Sequence, residues 1–341
     1  MTNDIILTIA IPTYNRIGFL KTIVDCFIQQ VISGGLANTV EIVVGNNASE
    51  DGTGEYLDQI IIQHHFLRRF NRPKNLGFSK NADLLVHEAK GEYVLICGDD
   101  DLMRAGAIEY CIKCILEKRP NFILINTSNI TSFDNSNHDF KVILENRLRI
   151  DRDFFIEDLQ KDHNLLKKVH NWLYLTNLLP AVIFKKELFI AEEISVKKYL
   201  RPENLYLWQA QVLIGISKYG RFLIIGQSFV LHRKNETSWT NDKRSVVFFD
   251  IFDNVEVANL IKDYIPTEYQ KYKKLYAAFT VGGLMLETKN GKGVRKYAWS
   301  ALIRNLWIFP ENIQFLCMLV APTVTTKISP QLRQYKRLLL N

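Results

Sequence analysis

The sequence predicts an α/β fold, a mostly parallel sheet flanked on both faces by helices, followed by a helical C-terminal subdomain. Three observations carry that prediction. Short β-rich apolar runs alternate with helix-spaced patterns through the first third of the chain. Three of those runs end in polar, turn-forming segments, and beyond about Val246 the pattern changes to helices rich in aromatic and basic residues.

Leu7–Ile11 reads as the first buried strand, and Pro12 halts its ladder. Phe19–Gln30 has helical apolar spacing, and Glu41–Gly45 is the second strand. The segment Asn46-Asn47-Ala48-Ser49-Glu50-Asp51-Gly52-Thr53 is a turn that caps the helix Gly52–Gln63. Phe78–Glu88 is the next helix, Tyr93–Cys97 the third core strand, Ala105–Lys118 a helix and Phe122–Asn126 a fourth strand. Farther on, Asn204–Lys218 reads as a helix and Phe229–Arg233 as a strand.

In sheets of this class ligands gather at the carboxyl ends of the strands. Behind the third core strand stands Gly98-Asp99-Asp100-Asp101. Adjacent carboxylates at the end of a buried strand repel one another and protonate unless a cation relieves them, and a divalent ion with oxygen preference does so. An alternative use is to cap the helix beginning near Ala105, although one cap needs one carboxylate. Behind the first strand, Tyr14 can stack on a flat ring, and Thr13 and Asn15 can hydrogen-bond base edges.

Composition narrows the function classes. A chain of 341 residues, 47% of them hydrophobic, can bury a sizeable core. Its 43 basic and 36 acidic residues leave a net charge of +7, which points to an anionic partner. Five scattered cysteines form no disulfide framework, so a reducing compartment is expected. Cys111 and Cys114 make a CxxC inside an amphipathic helix and are expected in the core. Met1–Ile11 lacks the features of a signal peptide, and the apolar run Ile313–Ala321, stopped by Pro322, is too short for a bilayer of roughly 30 Å. A soluble or peripheral protein is expected. Neither G-x-G-x-x-G nor G-x-x-x-x-G-K-[ST] occurs, which argues against dinucleotide dehydrogenases and P-loop enzymes. No nucleic-acid-binding motif accompanies the basic charge.

Ile11-Pro12-Thr13-Tyr14-Asn15-Arg16, Asn47 to Thr53, Asn75-Leu76-Gly77 with Asn81, and Gly91-Glu92-Tyr93 leading into Asp99-Asp100-Asp101-Leu102 together resemble the nucleotide-sugar half of family 2 glycosyltransferases. The likeness covers roughly residues 1–125 and implies a GT-A fold with a nucleoside diphosphate sugar held through Mn²⁺ or Mg²⁺ by a DxD-type motif. It implies that Pro12, Thr13, Tyr14, Arg16 and Asn47 surround the base and ribose. Asp99 is expected near the ribose or sugar, and Asp100 or Asp101 at the metal. Asn46 departs from the Asp common at or beside that position, so the base stays open. Arg72, Lys74, Asn75 and Asn81 lie by the nucleotide in such enzymes, and a loop plus helix cap explains them equally well.

Residues 126–240 are expected to supply the acceptor half, completing a glycosyltransferase domain over 1–240. Inverting transfer needs a carboxylate to take the acceptor's proton. Family members often carry Glu-Asp before a helix containing Leu-Trp; here the segment is Glu203-Asn204-Leu205-Tyr206-Leu207-Trp208, so Glu203 is the candidate base, unless another group serves or the activity is altered. Its alternative role is a favourable charge at the helix start. His232 and Arg233 resemble residues that reach a metal or diphosphate in relatives, with Lys234 beside them. The metal-ligand candidates are therefore Asp99, Asp100, Asp101 and His232; the donor-binding candidates are Pro12, Thr13, Tyr14, Arg16, Asn46, Asn47, Asn75, Asn81, Asp99 and Arg233. Asn171-Trp172-Leu173-Tyr174 to Pro180 suits either an acceptor surface or core packing.

Residues 246–341 are expected to form a basic helical subdomain. Tyr269–Lys274, Lys289–Lys296 and Lys327–Arg337 could lie on anionic lipid or present a solvated face. The resemblance extends weakly to the O-antigen deoxyhexose (abequosyltransferase-like) transferases. That implies a saccharide acceptor, carried on a polyprenyl diphosphate, and a cytoplasmic protein peripheral at the inner membrane face in bacterial O-antigen or capsule synthesis. The competing readings are a catalytically silent nucleotide-sugar-binding partner and a sugar nucleotidyltransferase.

Overall fold

The computed structural model describes residues 5–130, 142–159, 161–169, 172–200, 204, 206–233, 257 and 260–266. Glu203, Lys234 and the three basic segments beyond Tyr269 lie outside them. The chain divides into two compact units, Met1–Glu203 with Leu207–Glu236, and Asn204–Tyr206 with Thr237–Asn341.

The first unit opens with β1 (Leu7–Thr13), α1 (Ile17–Ser33), β2 (Val40–Asn46), α2 (Thr53–Ile61), β3 (Leu67–Asn71), α3 (Phe78–Glu88) and β4 (Tyr93–Ile96). It continues through β5 (Leu102–Met103), α4 (Ala107–Lys118), β6 (Phe122–Ile130), β7 (Val142–Leu144) and β8 (Phe154–Ile156). The short helices α5 (His163–Leu166) and α6 (Trp172–Leu175) precede β9 (Val182–Lys185), α7 (Lys186–Ala191) and α8 (Glu193–Tyr199), and the unit closes on α9 (Leu207–Tyr219) and β10 (Phe222–Arg233).

The strands form one sheet in the order β3-β2-β1-β4-β9-β6-β10-β5, with β7 on β6 and β8 on β10. β1, β2, β3 and β4 are mutually parallel, as are β6 and β10. β9 joins the two groups, antiparallel to both β4 and β6, so the carboxyl ends of β1, β2, β4, β6 and β10 share one edge. That edge positions the site.

Alternation along β1 and β2 decides which side chains meet which helices. Leu7, Ile9 and Ile11 join Val40, Ile42 and Val44 in a core with Leu20, Ile23, Val24 and Phe27 of α1 and Ile108, Ile112 and Ile115 of α4. α3 packs against β1 and β2. It approaches so closely that a Cβ on Gly45 would lie 2.7 Å from Asn81 Oδ1 and 2.9 Å from Leu85 Cδ1. Gly45→Ala is therefore expected to lose about 1–3 kcal/mol of stability in denaturant titration, because neither buried side chain can retreat freely. A change under about 0.5 kcal/mol would contradict that packing account.

The sequence reading has no strand at Leu67–Asn71, yet the LRRFN segment forms β3, paired among the described residues with β2 alone at the sheet edge. β10 begins at Phe222 rather than Phe229 and reaches the site edge as one 12-residue strand with irregular register near Ser228. Trp172, Leu173 and Leu175 are buried, with Trp172 tilted against Phe222 at 5.8 Å, so packing accounts for these residues. Cys111 and Cys114 are buried in α4, and burial drives both thiols above their usual range. In the second unit, Asn204 Oδ1 accepts the Tyr206 N–H at 2.8 Å. No described helix is long and apolar enough to cross a membrane.

Candidate active site

The first two strand ends are tied together by their own polar groups. Asn15, at φ 52°, accepts the Glu50 N–H through Oδ1 at 2.8 Å and donates its backbone N–H to Ser49 Oγ at 3.0 Å. Asp51 caps α1 from the other loop, accepting the Ile17 N–H at 2.8 Å, and also accepts the Thr53 hydroxyl at 2.6 Å. Burial alone would raise the Asp51 carboxyl; the Thr53 and Ile17 bonds outweigh it and hold the group below its usual range.

Asn46, Asn47, Asn75 and Asn81 are brought to the β2 side of this edge as one scaffold. Asn46 donates to Asn71 Oδ1 and accepts the Ser49 N–H. Asn47 donates to Asn75 Oδ1 at 2.8 Å and to the Gly77 carbonyl, and accepts the Leu76 N–H. Gly77, at φ 79°, lets the chain turn into α3 where a side chain would be strained. Asn81, 1% exposed, donates to the Gly45 carbonyl at 2.7 Å and accepts Arg72 Nε, while Arg72 forks onto Glu88. These amides fix the loop, whereas Tyr14, 43% exposed, stands free for contact beside buried Pro12 and Thr13.

The acidic run completes the edge. α4 begins at Ala107 with Gly106 as its N-cap, and the side chain that accepts a first-turn N–H is Gln30, through Oε1 to Ile108 at 3.2 Å, so the helix-cap alternative for the carboxylates falls away. Asp99 is 4% exposed, with Oδ2 accepting the Thr13 hydroxyl at 2.8 Å and Oδ1 paired with Arg16 Nη1 at 2.9 Å. Arg16 Nη2 pairs with Asp100 Oδ2 at 2.8 Å. Asp101 Oδ1 bonds His232 Nδ1 at 2.9 Å and accepts the Arg233 backbone N–H at 3.3 Å. His232 and Arg233 lie beside Asn129 and Ile130 in the β6–β10 register, which carries them to the same edge.

One further oxygen of each of Asp100 and Asp101 lies near Gly98. A Cβ on Gly98 would lie 3.1 Å from Asp100 Oδ1 and 3.6 Å from Asp101 Oδ2, and among the described residues neither oxygen has a hydrogen-bond donor. Two hard, open carboxylate oxygens over a glycine fit an ion such as Mg²⁺ or Mn²⁺ that keeps waters and takes the rest of its shell from a substrate phosphate. They do not form a closed protein cage. Among the described residues, three potential ligand atoms converge at Asp83, His87 and Glu193 on α3 and α8, where Lys80 and Lys197 already pair with the carboxylates.

Burial pushes Asp99 up to about 7; Asp100 and Asp101 add to the rise, while Arg16 and Thr13 oppose it. The folded chain thus holds a proton that the unfolded chain releases near the ordinary 3.8. The sign follows: stability of the metal-free protein falls as pH rises from about 4 to 7. Asp99→Asn should flatten that part of the stability curve in chelator; an unchanged slope would contradict the assignment.

Some functional features had no sequence signal. The Arg16 ion pair with Asp100 spans 84 residues, and Phe19 beneath Arg16 reads simply as an apolar helix position.

Comparison with known proteins adds the family. The profile of "Glycosyl transferase family 2" matches residues 8–179. Glycosyltransferase GlyG of Streptococcus pneumoniae is 22% identical over 290 residues, covering 78% of this chain and 90% of that protein. Abequosyltransferase RfbV of Salmonella typhimurium is 32% identical over 99 residues, 29% of each chain. Among solved structures, S. aureus TarS 1-349 in complex with UDP matches at a TM-score of 0.62 and 16% identity, over 98% of this chain and 87% of that one. The architecture is the GT-A fold, and with a profile match that runs from β1 through the acidic edge, the chain belongs to glycosyl transferase family 2.

Proposed function

We propose that this protein is a metal-dependent, inverting glycosyltransferase that moves a sugar from a nucleoside diphosphate sugar to a saccharide acceptor in bacterial surface polysaccharide synthesis. The observation that carries the reading is the pair of open oxygens, Asp100 Oδ1 and Asp101 Oδ2, over Gly98 at the carboxyl edge of the sheet. The family supplies the reaction class, and UDP bound to TarS is in keeping with a nucleotide donor.

In this reading Tyr14 stacks on the base, with Pro12 and Thr13 beneath it and the Asn46, Asn47, Asn75 and Asn81 scaffold shaping that side. Asp100 and Asp101 hold the ion, with His232 steadied next to it by its bond to Asp101. When bound, the divalent ion supplies Lewis-acid stabilisation of the charge that develops on the leaving diphosphate. Arg233, whose guanidinium can match two phosphate oxygens, lies on the same edge. Asp99, with both oxygens held by Arg16 and Thr13, orients the donor side of the cleft rather than opening to the ion. Glu203 takes the proton of the acceptor hydroxyl as it attacks the anomeric carbon from the face opposite the diphosphate.

The acceptor in this reading is lipid-linked, carried on a polyprenyl diphosphate, with the basic segments after Tyr269 against the cytoplasmic membrane face. The abequosyltransferase match over 99 residues favours O-antigen assembly as the setting. Incubation with UDP-, GDP-, CDP- and dTDP-sugars and Mn²⁺ tests the function: slow, metal-dependent hydrolysis of one donor is expected. Binding without turnover in any acceptor mixture would instead identify a silent nucleotide-sugar-binding partner, and pyrophosphate release from a nucleoside triphosphate would identify a nucleotidyltransferase.

A further inference from the structure

Arg16 is placed unlike an ordinary base-side residue. From the N-cap position of α1 its guanidinium forks across two carboxylates, Nη1 to Asp99 Oδ1 at 2.9 Å and Nη2 to Asp100 Oδ2 at 2.8 Å. Its plane rests on Phe19, with Cζ 4.7 Å from the ring centroid. Arg233 uses the same ring, its Cζ 4.9 Å from the centroid, while its backbone N–H reaches Asp101. One phenyl ring thus braces two guanidinium groups at the rim of the acidic run, an arrangement favoured by its quadrupole.

Two features favour a change of partner by Arg16. Its side chain keeps 24% of its exposure, and its buried Nε has no hydrogen-bond acceptor among the described residues. Asp99 stays anchored without it through Thr13. A divalent ion at Asp100 Oδ1 would share that carboxylate with a guanidinium on Oδ2, and like charges a few ångströms apart repel one another in this partly buried site. A diphosphate removes the conflict, because its oxygens can accept from the guanidinium fork and from the metal together.

We propose that Arg16, braced by Phe19, is a built-in counter-ion that competes with the divalent ion for Asp100 and passes to the donor diphosphate when the two arrive together. The inference rests on the metal–diphosphate reading of the acidic run and adds a consequence to it. Metal alone binds weakly, diphosphate strengthens it, and Arg16 sets the size of that coupling. Phe19 acts as a positioning residue, holding Arg16 and Arg233 on the same side of the cleft.

The test is an electron paramagnetic resonance titration of free Mn²⁺ with the full chain, alone and with inorganic pyrophosphate. Arg16→Gln should bind Mn²⁺ alone about tenfold more tightly than wild type, in line with loss of a competing close cation, and should lose most of the strengthening by pyrophosphate. Phe19→Leu, which leaves both charges in place, should shift both quantities in the same direction by a smaller factor. If Asp100→Asn weakens Mn²⁺ binding while Arg16→Gln and Phe19→Leu bind Mn²⁺ alone like wild type, the metal site stands and the counter-ion role is overturned. If Asp100→Asn and Asp101→Asn both leave Mn²⁺ binding unchanged, the metal reading fails and the inference fails with it.

Discussion

Asp101→Asn is expected to lower kcat/KM for transfer by about 10³-fold while leaving the fold intact, a loss on the scale of removing one preorganised electrostatic group from a transition state. The reasoning starts from the two halves of this carboxylate. Oδ1 bonds His232 Nδ1 and the Arg233 N–H, and an amide oxygen can take over both contacts. Oδ2, facing Gly98, becomes an NH₂ group that cannot ligate a cation. Substitution thus removes charge and ligand together while sparing the anchors of β10. Steady-state rates across a Mn²⁺ series, with a thermal melt as the folding control, give the answer. A wild-type rate would remove Asp101 from the chemistry.

Glu203→Gln carries the second large effect: transfer should fall by about 10²–10⁴-fold, the usual contribution of a positioned base, with donor affinity preserved. Its neighbour explains why the proposal assigns the proton to Glu203. Asn204 is fully buried and turns its side-chain oxygen onto the Tyr206 N–H, holding the chain ahead of α9, and an amide accepts no proton near neutral pH. A single-turnover assay separates the two roles open to Glu203. If it merely favours the start of α9, Glu203→Gln loses stability and transfers at the wild-type rate. If it is the base, donor binding persists and the chemical step slows.

The parallel core was legible because its strands are continuous apolar runs buried on both faces, so Leu7–Ile11 and Tyr93–Cys97 announce themselves, and Phe78–Glu88 matches the helix observed. β3 escaped notice because an edge strand is wet on one side, and Arg68, Arg69 and Asn71 erase its alternation. β9 was hidden for a different reason. Only four residues long, it gains its identity from antiparallel partners on both sides rather than from any local pattern.

At the site, the order of the polar strand ends was readable, and with it the edge where Thr13, Arg16 and the carboxylates meet. The division of labour among them was legible only in part. The resemblance sets Asp99 near the ribose or sugar and Asp100 or Asp101 at the metal; the fold adds the contacts, with Asp99 held by Thr13 and Arg16 and oxygens of the other two near Gly98. The resemblance sets Asn47 by the base and ribose and leaves a loop plus helix cap as an equal reading for Asn75 and Asn81; in the fold the amides of Asn46, Asn47 and Asn81 hold β2, the 75–77 turn and α3 together. Contacts between residues tens of positions apart leave no trace in spacing or composition.

The central claim is that the acidic edge binds a diphosphate through a divalent ion. Calorimetric titration of the wild-type protein with UDP, GDP, CDP and dTDP, each with Mn²⁺ and with chelator, tests it most directly. The account predicts that at least one nucleotide binds with Mn²⁺ at least tenfold more tightly than in chelator, a difference of about 1.4 kcal/mol. Equal affinity with and without the metal for every nucleotide that binds would contradict it.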